Sequence, residues 1–319
     1  MNLRNTKIFT CTQLVNITPN FLKVIGEGPC GRVYFGTLNV DAHVAVKVLS
    51  PLSVLGYKEF QTKVELLSHL SHRNIVSLVG YYDENGIKAL IYEYMANGNL
   101  REHLSRKHKR ILSWNERLQI AIDIAYGLLY LQICWESFIV HRNLKPNHIL
   151  LTKKMRGKIS IFGLGTSLYE EYQQVNYVYV TQGCMAPEYL CSGEINKKTD
   201  LYSYEIILLE LLTGWPPFAL DNNRCTSITD HVRPIMETGD FQRIVYPKLQ
   251  GKFNIDTAWR VAKLAMSCAS ATTNQRPDIS HVLVELKECL AAEMPSQQPE
   301  DIEINMEESQ NSDEIYLCP

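Results

Sequence analysis

The 319-residue sequence has no C-x-x-C pair, no long uncharged apolar run, no internal repeat and no marked excess of either charge. Each absence removes a class. Nine cysteines at irregular spacing (11, 30, 134, 184, 191, 225, 268, 289 and 318) suit free thiols in a reducing compartment better than a disulfide framework. The opening Met-Asn-Leu-Arg-Asn-Thr-Lys lacks a signal-peptide apolar region, and Asn2 excludes N-myristoylation. The most apolar stretch, Ile120 to Val140, is broken by Asp123, Gln132 and Glu136, and reads as a core helix rather than a membrane span. Lys and Arg total 32 against 34 Asp and Glu, a formal charge of −2 that gives no sign of nucleic-acid binding.

Two absences are local. From Ser137 to Tyr169 there is no Asp or Glu, while Arg142, Lys145, Lys153, Lys154, Arg156 and Lys158 fall in the same stretch. From Pro295 to Pro319 there is no Lys or Arg, while seven acids are present, so the 294 residues before them carry +5. That Pro-, Gln-, Ser- and Glu-rich segment, residues 293–319, is expected to be disordered.

What is present divides into two lobes after a lead-in over residues 1–17. Residues 18–95 hold five strand-like runs (FLKVIGEG, GRVYFGTL, HVAVKVL, IVSLVGYY and KALIYEY) and one helix, Tyr57 to Leu70, with Phe60, Val64 and Leu67 on one face. Residues 96–292 are mainly helical, with periodic apolar spacing over Leu118–Leu131, Leu201–Leu212, Trp259–Ala269 and Ile279–Ala291. The expected class is α+β: a small five-stranded β lobe with one helix, and a larger α lobe.

The motifs come in a fixed order. Gly26-Glu27-Gly28-Pro29-Cys30-Gly31-Arg32-Val33 is a G-x-G-x-x-G-x-V, a spacing that alone also opens dinucleotide-binding helices. Strand text on both sides makes it a hairpin whose Cβ-free backbone can lie over phosphates. Val44-Ala45-Val46-Lys47 follows, then His141-Arg142-Asn143-Leu144-Lys145, Ile161-Phe162-Gly163, Ala186-Pro187-Glu188, Asp200-Leu201-Tyr202-Ser203 and Asn274-Gln275-Arg276-Pro277. In these motifs the sequence resembles the eukaryotic protein kinase domain, and more narrowly the cytoplasmic kinase of plant leucine-rich-repeat receptor-like serine/threonine kinases. The resemblance covers residues 8–292 and implies a bilobal kinase fold.

Carried over residue by residue, the resemblance implies a nucleotide site at Ile25, Gly26, Gly28, Gly31, Val33, Ala45 and Lys47. The hinge would be Tyr92, Glu93 and Met95, with Tyr92 as gatekeeper. It implies structural roles for Leu67, His141, Phe162, Glu188, Asp200 and Arg276. Lys145 and Thr181 become candidates for orienting substrate, and Arg142 for pairing with a phosphate in the segment 163–186. Glu205 stands where the family usually has glycine.

Four catalytic positions are degenerate. Lys63 replaces the helix carboxylate that holds the phosphate-binding lysine. Two ammonium groups about 4 Å apart repel by roughly 4 kcal/mol at an effective dielectric near 20. Lys47 and Lys63 are therefore expected to stay apart, with Lys63 paired to Glu59 on a solvated helix face. Asn143 replaces the catalytic base, and a carboxamide cannot take a proton. His148 and Ile161 replace the two metal ligands, whereas magnesium needs hard oxygen donors. No metal is expected, and ATP is expected to bind weakly and without magnesium. The resemblance thus implies a pseudokinase acting as scaffold or allosteric partner of active receptor-like kinases or other signalling proteins. The chain would sit in the cytoplasm, at the inner face of the plasma membrane through a partner. The alternative is a low-activity serine/threonine kinase.

Overall fold

Alternation of apolar and polar residues builds the first lobe around one twisted sheet. The computed structural model describes residues 6–28, 30–50, 57–105, 107–134, 138–161, 166–167, 184–221, 224–240, 243–249, 251–268 and 272–293. The elements of the small lobe are β1 (Lys7–Ile8), α1 (Cys11–Ile17), β2 (Val24–Gly28), β3 (Gly31–Asn39), β4 (Ala42–Leu49), α2 (Tyr57–His69), β5 (Leu78–Glu84) and β6 (Ile87–Glu93). The strands form a sheet in the order β1-β5-β6-β4-β3-β2. Helix α2 buries Phe60, Val64 and Leu67 against Tyr81, Leu90 and Tyr92.

The sheet has six strands where five were expected, and the sixth comes from the lead-in. Strand β1 pairs in parallel with β5, Lys7 opposite Gly80. Phe9, Leu14 and Ile17 then bury themselves against Val44, Val46, Tyr82, Ala89 and Ile91. Gly80 permits the approach, since a Cβ there would lie 2.3 Å from the Lys7 carbonyl oxygen. Helix α1 is held at its start by a capping box, Thr10 and Gln13 each satisfying the other's backbone N–H. Residues 7–17 are thus part of the lobe. Two residues of strand are too short for an alternation pattern to reveal.

The larger lobe is organised by two buried helices. They are α4 (Trp114–Ile133), opened by a Ser113/Glu116 capping box, and α6 (Thr199–Thr213), ended by Gly214 in the left-handed conformation. Around them lie α3 (Leu100–Leu104), α5 (Pro187–Ser192), α7 (Ile228–Thr238), α8 (Ile255–Cys268) and α9 (Ile279–Glu293), with α9 packed along α4 and α8 along α6. Short strands β7 (Ile139–Val140), β8 (Ile149–Leu151), β9 (Gly157–Ile159) and β10 (Thr166–Ser167) frame the loop between the lobes, and β11 (Phe218–Asp221) pairs with β12 (Arg224–Ser227). Among the described residues, no helix is long and apolar enough to cross a membrane.

Candidate functional site

The glycine-rich segment forms the hairpin that its flanking strands require. Strands β2 and β3 close on Gly28 opposite Gly31. Gly31 has φ +131°, and a Cβ on it would stand 2.0 Å from the Val48 carbonyl oxygen, so only glycine lets the hairpin lie on β4. One register further, Val33 faces Lys47, and Lys47 faces Leu90 of β6. Ile25 is exposed, Gly26, Val33 and Ala45 are half-buried, and Met95 is buried. Tyr92 pairs with Ala45 and is 1% exposed, and burial raises its phenol. The Glu93 side chain accepts from Lys158 Nζ at 2.6 and 2.8 Å and from the Ser77 N–H at 2.8 Å, so this acid is tied behind the hinge.

The two lysines do not keep apart. Burial, helped by the Lys47 charge and opposed by Cys30, pushes the Lys63 ammonium down to about 7. Burial also lowers Lys47, again with Cys30 opposing. The expected separation of the two lysines is corrected, and Lys63 is half-buried rather than fully solvated. Burial and the Lys47 charge both favour the neutral amine of Lys63, which eases the repulsion as its proton is given up. The Glu59 side chain lies outside the described residues. Cys30, within electrostatic range of both lysines, is a feature that the motif reading passed over. Its signal was its place at the tip of the glycine hairpin.

The catalytic loop is rigidly held. Asp200 of α6 accepts the backbone N–H groups of His141 at 2.6 Å and Arg142 at 2.9 Å. These bonds flank Arg142 at φ +64°, a left-handed conformation that costs a non-glycine residue about 1–2 kcal/mol. The Asn143 N–H donates to His141 Nδ1 at 3.3 Å, so His141 Nε2 donates to the Ser160 carbonyl at 3.0 Å. His148 Nδ1 in turn donates to the Asn143 carbonyl at 2.7 Å. Burial, then the neighbouring His141 and lysine charges, push His148 down to about 3, so it is neutral at physiological pH.

These residues do not fit magnesium. Ile161 is 2% exposed and belongs to the main hydrophobic core, so hydrocarbon fills the place of a carboxylate. His148 offers one remaining imidazole lone pair, a donor suited to softer metals. Among the described residues no group of three or more His, Cys, Asp or Glu could hold a metal ion. This side of the site suits an anion better, since His141 feels the charges of Lys63 and Lys145, and His148 those of Lys145 and Lys47. Burial lowers Lys145, with Cys184 opposing and Arg101 adding to the shift.

Long-range acids answer part of the acid-free stretch. Arg156 donates twice to Asp123 of α4, at 2.9 and 2.5 Å, and Lys158 is paired to Glu93. Two of the six basic residues are therefore neutralised by carboxylates distant in sequence. Arg276, with a fully enclosed side chain, grips Glu188 through two bonds of 2.6 and 2.7 Å. Burial alone would raise Glu188, but Arg276 carries its carboxyl below the usual value. Leu67 is buried under α2. Phe162, Thr181 and the side chains of residues 163–183 lie outside the described residues.

The model of the family described as protein tyrosine and serine/threonine kinase matches residues 20–286. A putative leucine-rich repeat receptor-like protein kinase of Arabidopsis thaliana is 43% identical over 289 residues, 89% of this chain and 33% of that protein. A probable LRR receptor-like serine/threonine-protein kinase of the same plant is 44% identical over 292 residues, 90% of this chain and 33% of its own length. Another with the same description is 44% identical over 297 residues, 92% of this chain and 34% of that relative. The chain thus spans about a third of the length of the curated relatives it matches.

Proposed function

Since this chain belongs to the protein tyrosine and serine/threonine kinase family, we propose that it is a pseudokinase, a binding partner within receptor-kinase signalling that transfers no phosphate at a useful rate. The observation that carries this reading is the burial of Ile161 in hydrocarbon where the family places a metal-binding carboxylate. Asn143 adds the loss of a base, which alone typically costs about 10² to 10⁴ in rate. The two losses act on one step and do not simply add.

The site takes ATP weakly and without magnesium. The glycine hairpin covers the phosphates, the hinge backbone around Glu93 and Met95 holds the base, and Lys47 and Lys63 supply positive charge. The retained Glu188–Arg276 pair and the Asp200 anchor keep the lobe in a kinase-like shape for an active receptor-like kinase to recognise. The chain works at the cytoplasmic face of the plasma membrane, held there by that partner.

Two measurements on the purified chain test this. ATP in the presence of a chelator should raise the melting temperature, and added magnesium should reduce that shift. Labelled ATP should give no phosphotransfer above a Lys47→Met control. Activity that disappears in the control would establish the low-activity kinase instead, with Lys145 and Thr181 as the candidates for orienting its substrate.

A further inference from the structure

One groove among the described residues lies away from the nucleotide site. It lies at the start of α4, has a volume of about 580 Å³, and has a mostly apolar lining. Ile111, Leu112, Trp114 and Leu249 supply its apolar lining, and Lys248 and Lys252 line it as cations. Ile111 is 40% exposed, an aliphatic side chain facing water at the groove's mouth. The loop entering α4 adds the exposed cations Lys107, Lys109 and Arg110, of which Arg110 pairs with Glu116.

The last described residue touches the same lining. Trp114 Nε1 donates to Glu293 Oε1 at 2.8 Å, and the Asn254 N–H donates to the same oxygen at 3.0 Å. Helix α9 therefore delivers the chain to the end of the groove, and the 26 residues that follow are the acidic segment. Within it Asp301-Ile302-Glu303-Ile304-Asn305-Met306 alternates strictly. Extended, such a run puts Ile302, Ile304 and Met306 on one face and its acids on the other. Seven residues lie between Glu293 and Asp301, and the eight steps reach up to about 26 Å.

We propose that residues 301–306 dock in cis along this groove, with their isoleucines and Met306 on the apolar lining and Asp301 and Glu303 against its two lysines. A segment with too few apolar residues for a core of its own can still order against a surface that supplies one. The tether keeps the effective concentration high, so a weak contact suffices. A second groove, lined by Arg73, Asn74, Thr152, Lys153, Lys154 and Arg156, is as basic but has no apolar side chain to receive the isoleucines.

A zero-length carbodiimide cross-linker applied to the full chain tests the docking. The expected product joins Asp301 or Glu303 to Lys248 or Lys252. An equal mixture of heavy- and light-isotope protein should give cross-links within one isotope only. Ile302→Ser with Ile304→Ser, which leaves every cross-linking group in place, should cut the yield about tenfold. The amides of 301–306 should exchange about tenfold faster in that variant, and likewise in Lys248→Glu with Lys252→Glu. Cross-links to Lys153 or Lys154 at equal yield, mixed-isotope products, or amide exchange already at the unprotected rate would each overturn the proposal.

Discussion

Lys63→Glu should lower the affinity for ATP in chelator by about a hundredfold or more at pH 7. A charge about 4 Å from a phosphate is worth roughly 4 kcal/mol at an effective dielectric near 20, and reversing its sign counts twice before solvent and rearrangement reduce it. The substitution restores the acid that the family places opposite the phosphate-binding lysine. It should therefore make the site look more like an active kinase while making metal-free binding worse. A pH series sharpens the result. The Lys63 ammonium is held down to about 7 by burial and by Lys47, and a bound phosphate favours its charged form, so binding takes up a proton. Affinity should fall as pH rises above about 7, by up to tenfold per unit, and should be nearly flat in Lys63→Met. The ligand-free protein behaves oppositely. Between about 7 and the unfolded lysine value near 10.4 the unfolded chain holds more protons, so this group makes stability rise with pH. Isothermal titration in chelator, with unchanged affinity in Lys63→Glu, would remove Lys63 from the site.

The comparison of Lys63 with Ile161 shows where the sequence was readable. The replacement of an acid by isoleucine has one physical meaning, and the structure puts that side chain in the core. A lysine on an amphipathic helix has two meanings, water or cleft, and the choice depends on how closely α2 approaches β4. Pairwise repulsion favoured water because it treated both ammoniums as permanently charged. Desolvation lets one of them give up its proton, a term that spacing alone does not contain. The main strands and helices were legible from their periodicity, whereas β1 was too short to have one. The acid-free stretch was read correctly in sequence and incompletely in space, since Asp123 and Glu93 reach Arg156 and Lys158 from other elements. Contacts across dozens of residues leave no local pattern.

Glu205 is the residue whose environment contradicts its chemistry most. It is 0% exposed in α6, and neither carboxylate oxygen has a hydrogen-bond partner among the described residues. Arg276 feels its charge but gives Glu188 two bonds. Burial therefore raises the Glu205 carboxyl well above its usual value, with the charges of Arg276 and Arg233 opposing. The folded chain keeps a proton that the unfolded chain releases above about pH 4.3, so stability falls as pH rises beyond that point, by up to about 1.4 kcal/mol per unit. Glu205→Met, close in length and without a polar atom to bury, should stabilise the protein by about 1–3 kcal/mol near neutral pH and remove its share of this slope, leaving that of Glu210, which burial raises to about 8. Glu205→Gln should reduce the slope equally but gain less, because its amide remains buried. Urea unfolding at pH 5, 6.5 and 8 separates these cases. A methionine variant less stable than the parent at every pH, with the parent's slope unchanged, would mean that Glu205 has a binding role in the core.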